Sequence, residues 1–383
     1  MERKIKVVFV LRFMLHYRID LLERINSYPD IDLTLIYGNS IRNSKFINYK
    51  GETRFTNIEL NTWQYARKEK YLVFFPSLFG RLVKLNPDVI VAEGESNILN
   101  DVLIYLYSLL YKKKIIWWGL GQVPGMNESL FQRMYRPFMK KFLKRASYVI
   151  GYSEYSRNYY SKFKDRSKIY VANNCLDNES IDRDILKYKA ESIQLKESPT
   201  FRDKFVILYV GAFIPLKKVD RLVKAFHAAK KKDPNIVLVL IGDGAMRQDL
   251  ELMIKTSDIR DVIFTGKLVD DVSRYFLLAD LFILPGLGGL SIHHAMTHSL
   301  PVISASADGT EMDLIRENQN GFLLKTDTVE ELTGYINRFL EDKSLSGKFG
   351  RMSREIVDTK INIRNKVSTF HDVIVSCHLN KNS

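Results

Sequence analysis

Cysteine is almost missing from this chain: of 383 residues only Cys175 and Cys377 carry a thiol, far apart and in no metal-like spacing. Neither a disulfide framework nor a zinc site is expected, and a reducing, cytoplasmic compartment fits. Long apolar runs are missing too. The longest, Val102 to Tyr111, has ten residues, too few to cross a bilayer, so a soluble or peripheral protein is expected. The opening MERKIKVVFVLRFML is interrupted at Arg12 and lacks a small-residue cleavage site, which reads as a first strand rather than a signal peptide. Acidic residues are scarce, 44 Asp and Glu against 58 Lys and Arg, for a net charge of +14. Such a surplus calls for nucleic acid, an anionic membrane face or a phosphate-bearing substrate. No recognised nucleic-acid module is present, so no nucleic-acid partner is expected. No GxGxxG follows the first strand, and a nicotinamide dinucleotide site loses its main support.

What is present is an alternation of short apolar runs and helix-length segments. At 46% hydrophobic the chain can bury two cores, and two α/β domains are the first expectation. Strands are expected at 5–11, Asp32–Tyr37, Val89–Ala92, Lys114–Trp118 and Tyr148–Gly151, with a helix at 17–27. The loops after them hold His16, Arg18, Glu93, Glu95, Gln122 and Ser153-Glu154. His16 is placed to orient a hydroxyl or act as an acid or base, or simply to cap the helix it precedes. Glu93 and Glu95 are candidate hydroxyl binders or two solvated loop acids. Residues 177–203 are polar and without clear periodicity, the candidate linker. A second series follows, with strands at 206–211, 236–242 and 262–266 that end in Gly211, Gly242-Asp243-Gly244 and Gly266-Lys267.

The second series centres on residues 280–311, ADLFILPGLGGLSIHHAMTHSLPVISASADGTE. Its pattern is strand, glycine turn, helix, strand. Glycines let backbone N–H groups approach an anion, and a helix start favours phosphate; a tight turn with no ligand is the plain alternative. Beyond it, Asn320-Gly321 reads as a turn and two C-terminal helices are expected from about 328 to 375.

The order VGAFIPLKKVDRLVKAF, LIGDGAMRQDLE, VIFTGKL, the central stretch, PVISASADGTEMDLI and NGFLL resembles the C-terminal half of retaining family 4 glycosyltransferases of GT-B fold, over about residues 205–345. HYRIDLLERI, IIWWGLGQ, YVIGYSEYSRNYY and VANNCLDN look like members acting in bacterial surface-polysaccharide assembly. The resemblance implies two facing Rossmann-like domains: an acceptor-binding one at 1–176, the linker 177–203, a nucleotide-sugar-binding one at 204–359, and a helix in 360–383 returning to the first. It implies a metal-independent reaction whose substrate is a nucleotide sugar, UDP-linked by preference. In family members an Arg and, five residues on, a Lys neutralise the diphosphate; here these positions are Ala212 and Lys217. Two glutamates across seven residues, near the donor sugar and the ribose, are here Gly286 and His294. His16 and Lys217 are the catalytic candidates. Gly211, Gly242, Lys267, Gly288, Gly289, Leu290, Ser291, His294 and Glu311 are candidates for the donor, and Arg18, Glu93, Glu95 and Gln122 for a glycan or glycolipid acceptor. A packing role is the alternative for His294, and a helix cap for Glu311.

Two segments suggest an anionic membrane surface as partner. Residues 130–145 hold six basic residues, none acidic, with Phe, Tyr, Met and Leu between them, and 67–84 hold five against Glu69. Aromatics turned to the core with solvated lysines outside are the alternative. Other expectations for the whole chain are a non-catalytic GT-B scaffold and a sugar-nucleotide epimerase; the second leaves the basic aromatic segments unexplained.

Overall fold

The computed structural model describes residues 3–41, 46–67, 70–95, 97–124, 130–268 and 271–380. They form two compact units, residues 1–174 with 363–383, and 175–362.

The first unit is built on β1 (Ile5–Val10), β2 (Ile31–Gly38), β3 (Thr56–Leu60), a hairpin of β4 (Trp63–Arg67) and β5 (Lys70–Phe74), then β6 (Val89–Glu93), β7 (Lys114–Gly119), β8 (Tyr148–Gly151) and β9 (Ile169–Val171). Seven of these make a parallel sheet in the order β3-β2-β1-β6-β7-β8-β9. Runs such as Val89-Ile90-Val91 are apolar without alternation because helices cover both faces of a parallel sheet. One face packs under the helix Ile363–Leu379, whose Phe370 ring lies 5.0 Å from Trp118 and 6.0 Å from Phe9. On the other face Trp117 packs against Phe142.

The second unit holds β10 (Phe205–Val210), β11 (Ile236–Ile241), β12 (Val262–Gly266), β13 (Leu281–Leu284), β14 (Val302–Ala305) and β15 (Gly321–Leu324), parallel in the order β12-β11-β10-β13-β14-β15. Its core is one apolar cluster around these strands.

Residues 177–203, expected as a linker, are mostly a helix, Asn178–Lys196, within the second unit. The Asp177 side chain caps it at Glu179 N, Asp182 pairs with Arg354 at 2.7 Å, and Lys196 with Asp280 at 3.2 Å. Its buried stripe is narrow, Ile181, Tyr188 and Ser192, while Leu186 and Ile193 point outward, so the sequence shows no clean period. Among the described residues after 328 there are three helices, Val329–Glu341, Ser344–Thr359 and Ile363–Leu379, not two. The 67–84 segment is not one amphipathic element: it divides into β5 and the helix Leu78–Leu85, and Lys68 and Glu69 lie outside the described residues. Residues 130–145 do form one helix, but Phe138 and Phe142 turn inward onto Tyr105, leaving Arg133, Arg136, Lys140, Lys141 and Lys144 exposed.

Candidate active site

In each sheet the chain runs outward one way from the first strand and then crosses back to its other side. Loops at that reversal diverge and leave a crevice beyond the strand ends. In the second unit the reversal lies between β10 and β13, which brings the loop 211–217 beside the turn 285–290.

Leu287 N donates to Leu216 O at 2.8 Å, tying the two loops together. Lys217 arches over the turn, and its Nζ donates to Leu287 O at 2.6 Å and Gly288 O at 2.8 Å. A Cβ on Gly289 would stand 3.4 Å from that ammonium. One on Gly286 would stand 2.3 Å from Leu216 O, so the backbones meet too closely for a side chain there. Gly211, Gly242 and Gly266 step across neighbouring strand ends, with Gly242 N donating to Gly266 O at 2.9 Å and Gly211 N to Ile241 O at 3.0 Å. Lys267 follows, exposed.

Leu290 precedes and Ser291 opens a seven-residue helix, Ser291–Thr297. His294 on it lies against Phe276, ring centroids 4.4 Å apart, and 5.0 Å from His298. Its Nε2 is buried without a hydrogen-bond partner. Burial, then His298 and His293, hold its pKa well below the ordinary histidine value, so the ring is neutral. Glu311 is fully buried at the start of the helix after β14. Its Oε1 accepts from Ala307 N and from Asp308 N, the latter at 2.9 Å. Burial first, then neighbouring Asp308, pushes its pKa up to about 8. Asp308 stands beside the glycine turn: a Cβ on Gly288 would lie 3.2 Å from its Oδ2. The sequence hides this carboxylate, because Asp308-Gly309 reads as ordinary turn chemistry.

In the first unit the reversal lies between β1 and β6. His16 sits there in a short 3-10 turn, exposed, its ring 5.6 Å from Tyr17. Arg18 and Glu93 face each other, Nη2 to Oε1 at 2.8 Å, with both side chains almost fully covered. Glu93 Oε2 also accepts from Arg12 N at 2.7 Å. Burial disfavours both charges, yet each favours the other: Glu93 titrates below the usual carboxylate range under Arg18 and Arg12, and Arg18 above its ordinary value. Arg18 also stacks 5.0 Å from the Trp118 ring centroid. Neither charge of this pair stands open to solvent.

Glu95 is different. It adopts a left-handed backbone, φ 55°, and its Oε1 accepts from the Tyr160 hydroxyl and, at 3.4 Å, from Trp117 Nε1. Burial pushes its pKa up to about 7, although those donors and the N–H groups of Gly121 and Leu120 oppose the shift. Together with Gln122, Tyr135 and Tyr159 it lines a small cavity. Tyr160 and Trp117, its partners, lie within the stretches YVIGYSEYSRNYY and IIWWGLGQ, but nothing in either stretch signals a contact with Glu95. A carboxyl with pKa near 7 folded and 4.5 unfolded stabilises the fold below 4.5, and that contribution is lost as pH rises to about 7. Glu95→Gln should therefore flatten the fall of Tm across this window. Melting curves of both proteins at stepped pH test it, and parallel profiles would count against it.

Among the described residues no cluster of three or more His, Cys, Asp or Glu is placed to hold a metal ion, and no helix is long and apolar enough to cross a membrane.

Residues 191–356 match the family described as glycosyl transferases group 1. Similar curated proteins include the sulfoquinovosyl transferase of Arabidopsis thaliana, 27% identical over 196 residues, covering 49% of this chain and 36% of that protein. Another is a capsular polysaccharide biosynthesis glycosyltransferase of Staphylococcus aureus, 23% identical over 270 residues, covering 68% and 63%. The chain thus spans between about a third and two thirds of these relatives' lengths. Among solved structures, Anabaena HepE in complex with UDP superimposes with a TM-score of 0.75 at 17% identity, covering 97% of this chain and 100% of that one. That likeness establishes the fold, Rossmann-like parallel-sheet units of the GT-B kind.

Proposed function

We propose, for a chain that carries a group 1 glycosyltransferase domain over residues 191–356, that it transfers a hexose-like or N-acetylhexosamine-like unit from a nucleoside diphosphate sugar to a hydroxyl of a lipid-linked or lipid-anchored glycan. Retention of the anomeric configuration belongs to the same reading, as does a place in bacterial surface-polysaccharide synthesis, the latter supported by the capsular relative. UDP is the first nucleotide to test, since HepE was solved with it. The observation that carries the reading is the Lys217 ammonium fixed on the glycine turn at the sheet's reversal point.

Cleaving a glycosyl–phosphate bond leaves negative charge on the diphosphate while the sugar becomes oxocarbenium-like. A cation already in position favours that state over the ground state. Lys217 supplies it, with the N–H groups of Gly289, Leu290 and Ser291 as further donors. The departing phosphate oxygen takes the acceptor proton, and no protein nucleophile is needed. Gly211, Gly242 and Lys267 line the nucleotide side. Glu311 shapes the neighbouring loop, and His294 holds the helix behind the turn; a ribose contact through its Nε2 requires that atom to be uncovered. In the first unit Glu95 and Gln122 contact the acceptor, while Arg18 and Glu93 hold the loop that presents His16.

Thermal shift with UDP, GDP, ADP, CMP and dTDP tests the donor site. One nucleotide should raise the Tm of the wild type and lose most of that effect in Lys217→Ala. A folded wild type indifferent to all five at millimolar concentration would favour a non-catalytic scaffold.

The exposed basic face of the helix Leu130–Arg145, with Met134 outward and Leu106, Leu109 and Leu110 exposed on the helix Ile98–Leu110, supports docking to the anionic inner face of a cell membrane. The protein should sediment with phosphatidylserine-containing vesicles and not with phosphatidylcholine ones, and charge reversal at Lys140, Lys141 and Lys144 should release it. Equal sedimentation with both would sink the proposal.

A further inference from the structure

The turn Gly286–Gly289 has two unlike flanks. At Gly289 the nearest group to a Cβ position is the Lys217 ammonium, 3.4 Å away. At Gly288 it is the Asp308 carboxylate, with Oδ2 at 3.2 Å, Cγ at 3.3 Å and Oδ1 at 3.5 Å. Asp308 reaches this place from the loop after β14, the strand beside β13. Its Oδ1 accepts from Thr310 N at 3.0 Å and Thr310 Oγ1 at 2.6 Å, so the side chain is held rather than trailing in solvent. The Glu311 carboxyl, at the start of the following helix, accepts from Asp308 N at 2.9 Å.

A carboxylate repels a diphosphate and accepts hydrogen bonds from hydroxyls; an ammonium does the reverse. Adjacent residues of one turn therefore present surfaces suited to the two halves of a nucleotide sugar. Gly286 cannot carry a carboxylate of its own, because a Cβ there meets Leu216 O at 2.3 Å and the Lys217 carbonyl carbon at 2.5 Å. Glycine at 288 lets the one from outside the turn approach closely; a Cβ there would stand 3.2 Å from its Oδ2.

We propose that Asp308 is the specificity-determining carboxylate of this donor site, accepting hydrogen bonds from hydroxyls of the transferred sugar on the Gly288 flank while the diphosphate lies on the Lys217 flank. This rests on the nucleotide-sugar reading above. Asp308→Asn keeps an oxygen for Thr310 and loses the charge, and Asp308→Ala removes the carboxylate altogether without touching the glycine turn.

The experiment compares thermal shifts and titrated affinities for UDP, UDP-glucose, UDP-galactose and UDP-N-acetylglucosamine, with GDP and GDP-mannose as the second nucleotide set. Wild type should bind one nucleotide sugar more tightly than its nucleotide. Both variants should keep the nucleotide affinity and lose ~10- to 100-fold toward the sugar form, the range of a hydrogen bond to a charged group. Variants that keep the sugar increment and the same order of sugars would overturn the assignment while leaving the glycosyltransferase reading intact. A wild type with equal affinity for nucleotide and nucleotide sugar would also overturn it. A wild type that binds none of the six and none of ADP, CMP and dTDP defeats the reading itself, and this assignment with it.

Discussion

Glu93→Ala should destabilise the first unit by about 3–5 kcal/mol, the usual result of stripping one partner from a buried ion pair. The carboxylate serves two donors at once, Arg18 Nη2 at 2.8 Å and Arg12 N at 2.7 Å. Its removal leaves the Arg18 guanidinium covered and uncompensated beside Trp118. All three tryptophans, Trp63, Trp117 and Trp118, lie in this unit, so tryptophan fluorescence in a urea titration reports on it selectively. The fluorescence midpoint should fall sharply. An unchanged midpoint would mean that the pair is loosely held and open to a ligand, as the sequence alone suggested. With Glu93 in place, Arg18→Lys should lose part of the same stability, since a point charge cannot reproduce the guanidinium's fork and its stacking on the indole.

Gly242→Ala should be comparably severe in the other unit, about 4 kcal/mol or more. Residue 242 has φ 143°, a region that residues with a Cβ rarely enter. A Cβ there would also lie 1.9 Å from Gly211 O, which belongs to the adjacent strand end and cannot retreat without moving β10. Strain and overlap act together. Here fluorescence should change little, while the far-ultraviolet circular dichroism transition splits and its early part moves to lower urea. A coincident, unshifted transition would show that the loop yields easily.

The sheets were largely legible because parallel strands covered on both faces give unbroken apolar runs, and Ile236–Ile241 or Leu281–Leu284 admit few other readings. The meeting of Lys217 with the glycine turn was legible only through motif order, since seventy residues separate them and no local pattern signals the contact. Arg18 and Glu93 looked like open binding groups because a sequence does not show which charges cancel across 75 residues. Thr56–Leu60 and the hairpin after it escaped notice: each strand is five residues long, Thr56–Leu60 alternates only at Ile58 and Leu60, and the hairpin's Trp63, Tyr65 and Leu72 are exposed, so no run marks a buried strand. Asp308 escaped because what matters is its distance to Gly288, and the turn signal accounts for the residue without it.

The helix Ile363–Leu379 follows the second unit in sequence yet buries Phe370, Val373, Ile374 and Cys377 in the first unit. During synthesis, then, the strands of that unit are made before the second unit, and its covering helix after it. The second unit has its whole sequence by residue 362 and can complete its core while one face of the first sheet still waits, apolar and lacking this helix, for residues 363–379 to be made. A nascent chain halted just after residue 362 therefore holds one finished half and one that needs a chaperone's shelter.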